Sequence, residues 1–251
     1  MKDDAVTIAY FGAAAFKVTT ARGKKILIDP YITRNPMCRQ KLDFFYDVDV
    51  ILVTHGAHDH LGDSVAIMKG SKAVLVCGRD VAAFAIDKGI PGERIQGTVY
   101  GDEKDFDGVR VKTVNAIHNS RIDTATKSYI GMAMGYVLTL ENGIRIYHAG
   151  DTAIFGDLKL AGMLYRPNVL LVGISGVTAT SVIEMNYREA ALATLWIGPD
   201  IVVPMHYPPE SDEARKFGEA VKVVAPNVEP AIMEPNSQIT YSKYAVVAGS
   251  L

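Results

Sequence analysis

Short apolar runs separated by polar turns recur along the whole chain. Val6–Phe11, Lys25–Asp29, Val50–Val53, Ala73–Cys77, Val169–Val172 and Ile201–Met205 are short and rich in β-branched residues, the pattern of buried strands. Val109–Val114 alternates apolar with polar residues, as a half-buried strand does. Gly131–Leu140 and Ile144–His148 flank the tight turn Glu141-Asn142-Gly143 and predict a hairpin. Ala13–Val18 is expected to be extended. Helical spacing predicts helices over Leu61–Lys69, Asp80–Lys88, Phe155–Leu164, Tyr187–Ile197 and Glu213–Val223, several stopped by glycine or proline. Thr98–Phe106 and Asn119–Ser128 are polar and expected to be loops, the latter beside a site. The rhythm of strands and helices predicts an α/β fold of two mixed sheets with helices outside. The 251 residues are expected to form a single domain, 1–251, of two similar halves joined near residue 127.

One feature recurs where these strands end. A buried strand is followed by histidine or aspartate at His55, at His118, at Asp151 and at His206. The densest case is Thr54-His55-Gly56-Ala57-His58-Asp59-His60, where three of the chain's six histidines stand beside an aspartate. Imidazole nitrogens and a carboxylate gathered past a rigid strand suit a divalent metal. Asp29, at the end of the Lys25–Asp29 run, is a candidate to support a histidine ligand or, equally, to cap the turn before Pro30. His148, inside a strand, is expected to be a core histidine or a support rather than a ligand. Asn119, Ser120, Arg121 and Tyr207 are either substrate contacts or plain solvated loop residues.

Composition narrows the partners. The formal charge is −2 with no basic cluster, so no nucleic-acid partner is expected. No apolar run reaches membrane-spanning length, and no secretory leader is expected at Met1–Asp4. Cys38 and Cys77 lie far apart and are expected to be free thiols of a reducing, cytoplasmic compartment, Cys77 within the core.

Five pieces in order, Lys25–Pro30, Thr54–Asp63, His118, Ile146–Thr152 and Pro204–Tyr207, resemble the metallo-β-lactamase superfamily. Within it the likeness is to metal-dependent hydrolases related to ascorbate-6-phosphate lactonase. That resemblance implies an αβ/βα sandwich and one or two divalent ions, zinc or manganese. It further implies His55 and His118 at one ion, Asp59, His60 and His206 at a second, Asp151 bridging, and Asp59 handling the nucleophile. The family's loop has histidine where this chain has Ala57, and His58 stands one place later. Either His58 replaces the missing ligand, or the second site works alone, or the site is degenerate. A small polar lactone or ester is the expected substrate, with a phosphodiester, or a catalytically silent binding role, as alternatives. A homo-oligomer is expected from the size and class of the chain.

Overall fold

The computed structural model describes residues 4–175, 184–243 and 245–250, of which Ala245 is described in its backbone alone. The chain forms two compact units. The first is drawn from Met1–Tyr100, Asn119–Ala133 and Glu234–Leu251, the second from Gly101–His118 and Met134–Met233.

The first unit begins with β1 (Val6–Tyr10), β2 (Phe16–Thr19), β3 (Lys25–Ile28), β4 (Val50–Val53), β5 (Val74–Cys77) and β6 (Ile95–Gly97). The second carries β7 (Glu103–Phe106), β8 (Val109–Asp123), β9 (Ser128–Thr139), β10 (Arg145–His148), β11 (Val169–Gly173), β12 (Ile201–Met205) and β13 (Glu229–Pro230). The last third of β8, from Asn119, and the first half of β9, to Ala133, belong to the first unit. The chain then returns to the first sheet with β14 (Ser237–Ser242) and β15 (Ala245–Ser250).

The sheet of the first unit runs β15-β14-β1-β2-β3-β4-β5-β6, parallel from β3 to β6 and antiparallel elsewhere. The sheet of the second runs β13-β12-β11-β10-β9-β8-β7, parallel from β10 to β13. Two mixed sheets with helices are thus present, as the apolar rhythm predicts. Central parallel strands are covered on both faces, which is why β4, β11 and β12 are apolar and buried throughout.

In the first unit, Leu27, Ile51, Val53 and Leu75 pack with Ile67 and Met68 of α2 (Ser64–Gly70) and Val81 and Ala85 of α3 (Arg79–Asp87). In the second, Tyr147, Leu170, Val172 and Val202 pack under α4 (Leu158–Tyr165), α5 (Tyr187–Ile197) and α6 (Glu213–Val224), the last contributing Phe217 and Val221. Each such fully buried aliphatic or aromatic side chain contributes about 1.5–3 kcal/mol. Asn186 opens α5 with a capping box: its side chain accepts from the backbone N–H of Arg188 and Glu189, and Glu189 reaches back to its N–H.

Several local expectations give way. Ala13 does not continue a strand: Gly12 and Ala13 take φ of +97° and +51°, and β2 starts only at Phe16. The stretch expected as a single helix from Leu61 is broken at Gly62, where a Cβ would fall 2.3 Å from the Pro30 carbonyl oxygen. A one-turn helix, α1 (His58–Leu61), precedes that break, so His58, Asp59 and His60 are helical rather than in a loop. β8 runs on to Asp123, so His118 lies within a strand and not past its end; the turn is confined to residues 124–127. Polar Ser120 hid the alternation there, because it is buried through hydrogen bonds and not through hydrophobicity. The edge strands β6 and β7 were not expected: their burial is slight, so no apolar pattern marks them.

Candidate functional site

In the first unit the carboxyl ends of β3 and β4 are neighbours. The parallel register sets Ile28 beside Leu52, and Asp29 N–H donates to the Leu52 carbonyl at 2.9 Å. The Asp29 carboxylate therefore reaches Thr54. Its Oδ1 accepts from Thr54 N–H at 2.8 Å, and its Oδ2 accepts from the Thr54 hydroxyl at 2.7 Å. The same Oδ2 lies 2.7 Å from His60 Nδ1. An ionised carboxylate only accepts, so His60 carries its hydrogen on Nδ1 and leaves the Nε2 lone pair for another partner. Thr54 Oγ1 lies 3.1 Å from His55 Nδ1 and, having given its proton to Asp29, accepts there. The His55 and His60 rings stand with centroids 4.1 Å apart. Asp29, Thr54, His55, Asp59 and His60 are all buried.

His58 stands apart from this group. Its side chain is 73% exposed, with Nδ1 3.7 Å from Asp59 Oδ1. It meets Tyr31 edge-on, the centroids 5.8 Å apart. Burial, and then the charge of Asp59, push the Tyr31 phenol above its ordinary pKa.

In the second unit the parallel strands again deliver polar groups at their carboxyl ends. Asp151 follows β10 and His206 follows β12, where His206 takes a φ of +56°. His148 is buried at the end of β10, and its Nδ1 accepts from Gly150 N–H at 3.2 Å, holding the turn that carries Asp151. Thr152 ties that turn to β8: its Oγ1 accepts from Ile117 N–H at 2.9 Å, while Ala153 N–H donates to the Ile117 carbonyl at 3.0 Å. His118, next on the strand, has its Nε2 4.0 Å from Asp151 Oδ2.

His206 is addressed from both sides. Nε2 lies 3.8 Å from Asp151 Oδ2, and Nδ1 lies 2.5 Å from Glu184 Oε1. Asp151, Glu184 and His206 thus form a buried cluster of possible ligands. The 2.5 Å spacing is too short for two donors on one ion, which at bond lengths of about 2.0–2.2 Å stand roughly 3 Å or more apart. Glu184 is therefore a support behind His206, not a co-ligand with its Nδ1. Room for it comes from Gly173, at the end of β11, where a Cβ would fall 2.1 Å from Glu184 Oε2.

Glu184 has no counterpart among the residues the sequence singles out. A lone carboxylate amid Val182, Ile183 and Met185 is the one local sign of it. Thr54 and Thr152 were likewise missed, each adjoining a residue that was not. Ser120 is buried and does not face solvent; Asn119 and Arg121, on the same strand, are exposed.

A family model described as the beta-lactamase superfamily domain matches residues 24–207. The chain belongs to that superfamily. It is 38% identical over 228 residues to a UPF0173 metal-dependent hydrolase of Methanosphaera stadtmanae, covering 90% of this chain and 92% of the relative. A UPF0173 metal-dependent hydrolase of Pyrococcus furiosus is 40% identical over 227 residues, 87% of this chain and 95% of that one. Among solved structures, Igni18, a metallo hydrolase from Ignicoccus hospitalis, superposes with a TM-score of 0.81 at 30% identity, covering 95% of this chain and 99% of its own. With these relatives the chain is a metal-dependent hydrolase of the metallo-β-lactamase fold. Among the described residues, no helix is long and apolar enough to cross a membrane.

Proposed function

We propose that the chain hydrolyses a small polar ester or lactone, using one or two divalent ions, zinc or manganese. The observation that carries this reading is the pair of carboxylate-backed imidazoles: Asp29 stands at His60 Nδ1 and Glu184 at His206 Nδ1, which leaves the Nε2 of each for another partner. Histidine ligands need that support, which sets the tautomer and raises basicity. The donor chemistry fits such ions, since imidazole nitrogen and carboxylate oxygen are their usual ligands.

His55, His118 and Asp151 would hold the first ion, and Asp59, His60 and His206 the second, with Asp151 shared. A bound ion of this kind supplies an acidified water and polarises the scissile carbonyl. Asp59, which is buried, would hold the nucleophile and take up its proton. Asp29 and Glu184 hold the two imidazoles still. The exposure of His58 and the bare methyl of Ala57 support a first site with three protein ligands, weaker than the second.

The test is a panel of lactones and phenyl esters set against bis-p-nitrophenyl phosphate, run on zinc- and manganese-loaded protein, with metal content measured by elemental mass spectrometry. Turnover of lactones or esters that is lost on metal removal is expected. Turnover of the diester alone would make the chain a phosphodiesterase, and bound metal without turnover of either would make it a binding protein.

A further inference from the structure

A second set of polar contacts lies against the turn that carries His55, and it touches none of the imidazoles. Gly56 N–H donates to Ser120 Oγ at 2.8 Å, and the Ser120 hydroxyl in turn donates to Asp80 Oδ2. Ser120 and Asp80 are both buried. Asp80 stands in the first turn of α3, where the partial positive charge of the helix end favours a carboxylate. Its other oxygen, Oδ1, has no hydrogen-bond partner among the described residues. Leaving a buried carboxylate oxygen unsatisfied is costly, so a carboxylate kept in such a place needs a reason beyond packing.

The backbone around it is cleared of side chains on two sides. A Cβ on Gly131 would fall 2.3 Å from Asp80 Cγ, and one on Gly56 would fall 2.5 Å from Ile122 Cγ1. Past His55, the Ala57 carbonyl of this turn accepts from His60 and Leu61 N–H at 3.1 and 2.8 Å. Thr54 is anchored on Asp29, but Gly56 has no side chain and Ala57 only a methyl. The peptide that follows His55 is therefore located by its N–H, and that N–H is given to Ser120.

We propose that Ser120 and Asp80 are positioning residues for His55: the relay Gly56 N–H, Ser120 Oγ, Asp80 carboxylate fixes the peptide after His55 and so the aim of its imidazole. Ser120 must accept from Gly56 along one lone pair. Asp80, acceptor only, forces the hydroxyl hydrogen away from Gly56 and keeps that lone pair available. The inference rests on the proposed function, in which His55 binds a metal ion.

The test is zinc affinity, measured by competition with a chromophoric chelator, together with the thermal midpoint. His55→Ala first identifies the binding step to which His55 contributes. Ser120→Ala and Asp80→Leu are expected to weaken that same step about tenfold or more. Asp80→Asn, which keeps an acceptor for the Ser120 hydroxyl, is expected to restore most of the affinity. Ile122→Val removes packing from the same turn without touching the relay, and is expected to lower the midpoint with zinc affinity unchanged. Wild-type zinc affinity in both Ser120→Ala and Asp80→Leu would overturn the relay while leaving the hydrolase reading standing. So would an equal loss in Ile122→Val at a matched fall in midpoint. A wild-type chain that binds no zinc or manganese, or a His55→Ala variant that alters no step, would instead sink the metal reading and the relay with it.

Discussion

Glu184 illustrates how much at the residue scale depends on one absent methyl. Its carboxylate meets His206 Nδ1 only because Gly173 has no Cβ; an added one would sit 2.1 Å from Oε2. Glu184→Ala is expected to lower metal affinity 10- to 100-fold, the usual cost of losing a support behind a histidine ligand. Gly173→Ala should reproduce most of that loss without altering any polar group, because the carboxylate must move. Titration of both variants with zinc checks this, and a Gly173→Ala protein of wild-type affinity would show that the Glu184 contact is dispensable. Asp29 belongs to the same class of residue but was visible beforehand, since a carboxylate ending a buried strand beside a histidine-rich turn stands out. Glu184 was not, because its partner lies 22 positions away and only the fold joins them.

At the element scale, β2 carries Lys17, whose Nζ lies 3.8 Å from the centroid of the Phe44 ring. Burial is the largest influence on Lys17 and holds its ammonium below the ordinary pKa of 10.5. The native state therefore releases this proton at lower pH than the unfolded chain. Between the two values the unfolded chain binds more protons, so stability rises with pH across that window. Urea midpoints from pH 8 to 10.5 should show wild-type protein gaining on Lys17→Met as pH rises, and a constant difference would remove Lys17 as the source. The strand β8 shows where element reading fails. Its apolar alternation is legible to Val114, and beyond that the buried positions are Ala116, Ser120 and Ile122, of which Ser120 is held through hydrogen bonds, so its polarity does not report exposure. The helical turn over His58–Leu61 was hidden for a similar reason: four residues are too few for a 3.6-residue period to declare itself.

On the scale of the whole molecule, a bound ion links metal content to stability. An ion at 100 times its dissociation constant adds about 2.7 kcal/mol to unfolding. For a chain of this size its removal should lower the thermal midpoint by roughly 5–10 °C. Differential scanning calorimetry before and after chelation checks this, and an unchanged midpoint would mean that the native state does not bind the ion. The amino-acid order alone determined the α/β class, the central strands and the fold family, and it singled out His55, His58, Asp59, His60, His118, Asp151 and His206 as candidate donors, because hydrophobic period and motif spacing are local properties of the chain. It could not decide which way His58 faces, what stands behind His206, or what holds the turn at Gly56. Those depend on side chains brought together from distant positions, Glu184 with His206 and Asp80 with Ser120 and Gly56, and on glycines whose missing Cβ atoms leave the space. Such contacts arise only when strand register and helix packing set separate segments within hydrogen-bond reach, which no pattern along one segment can record.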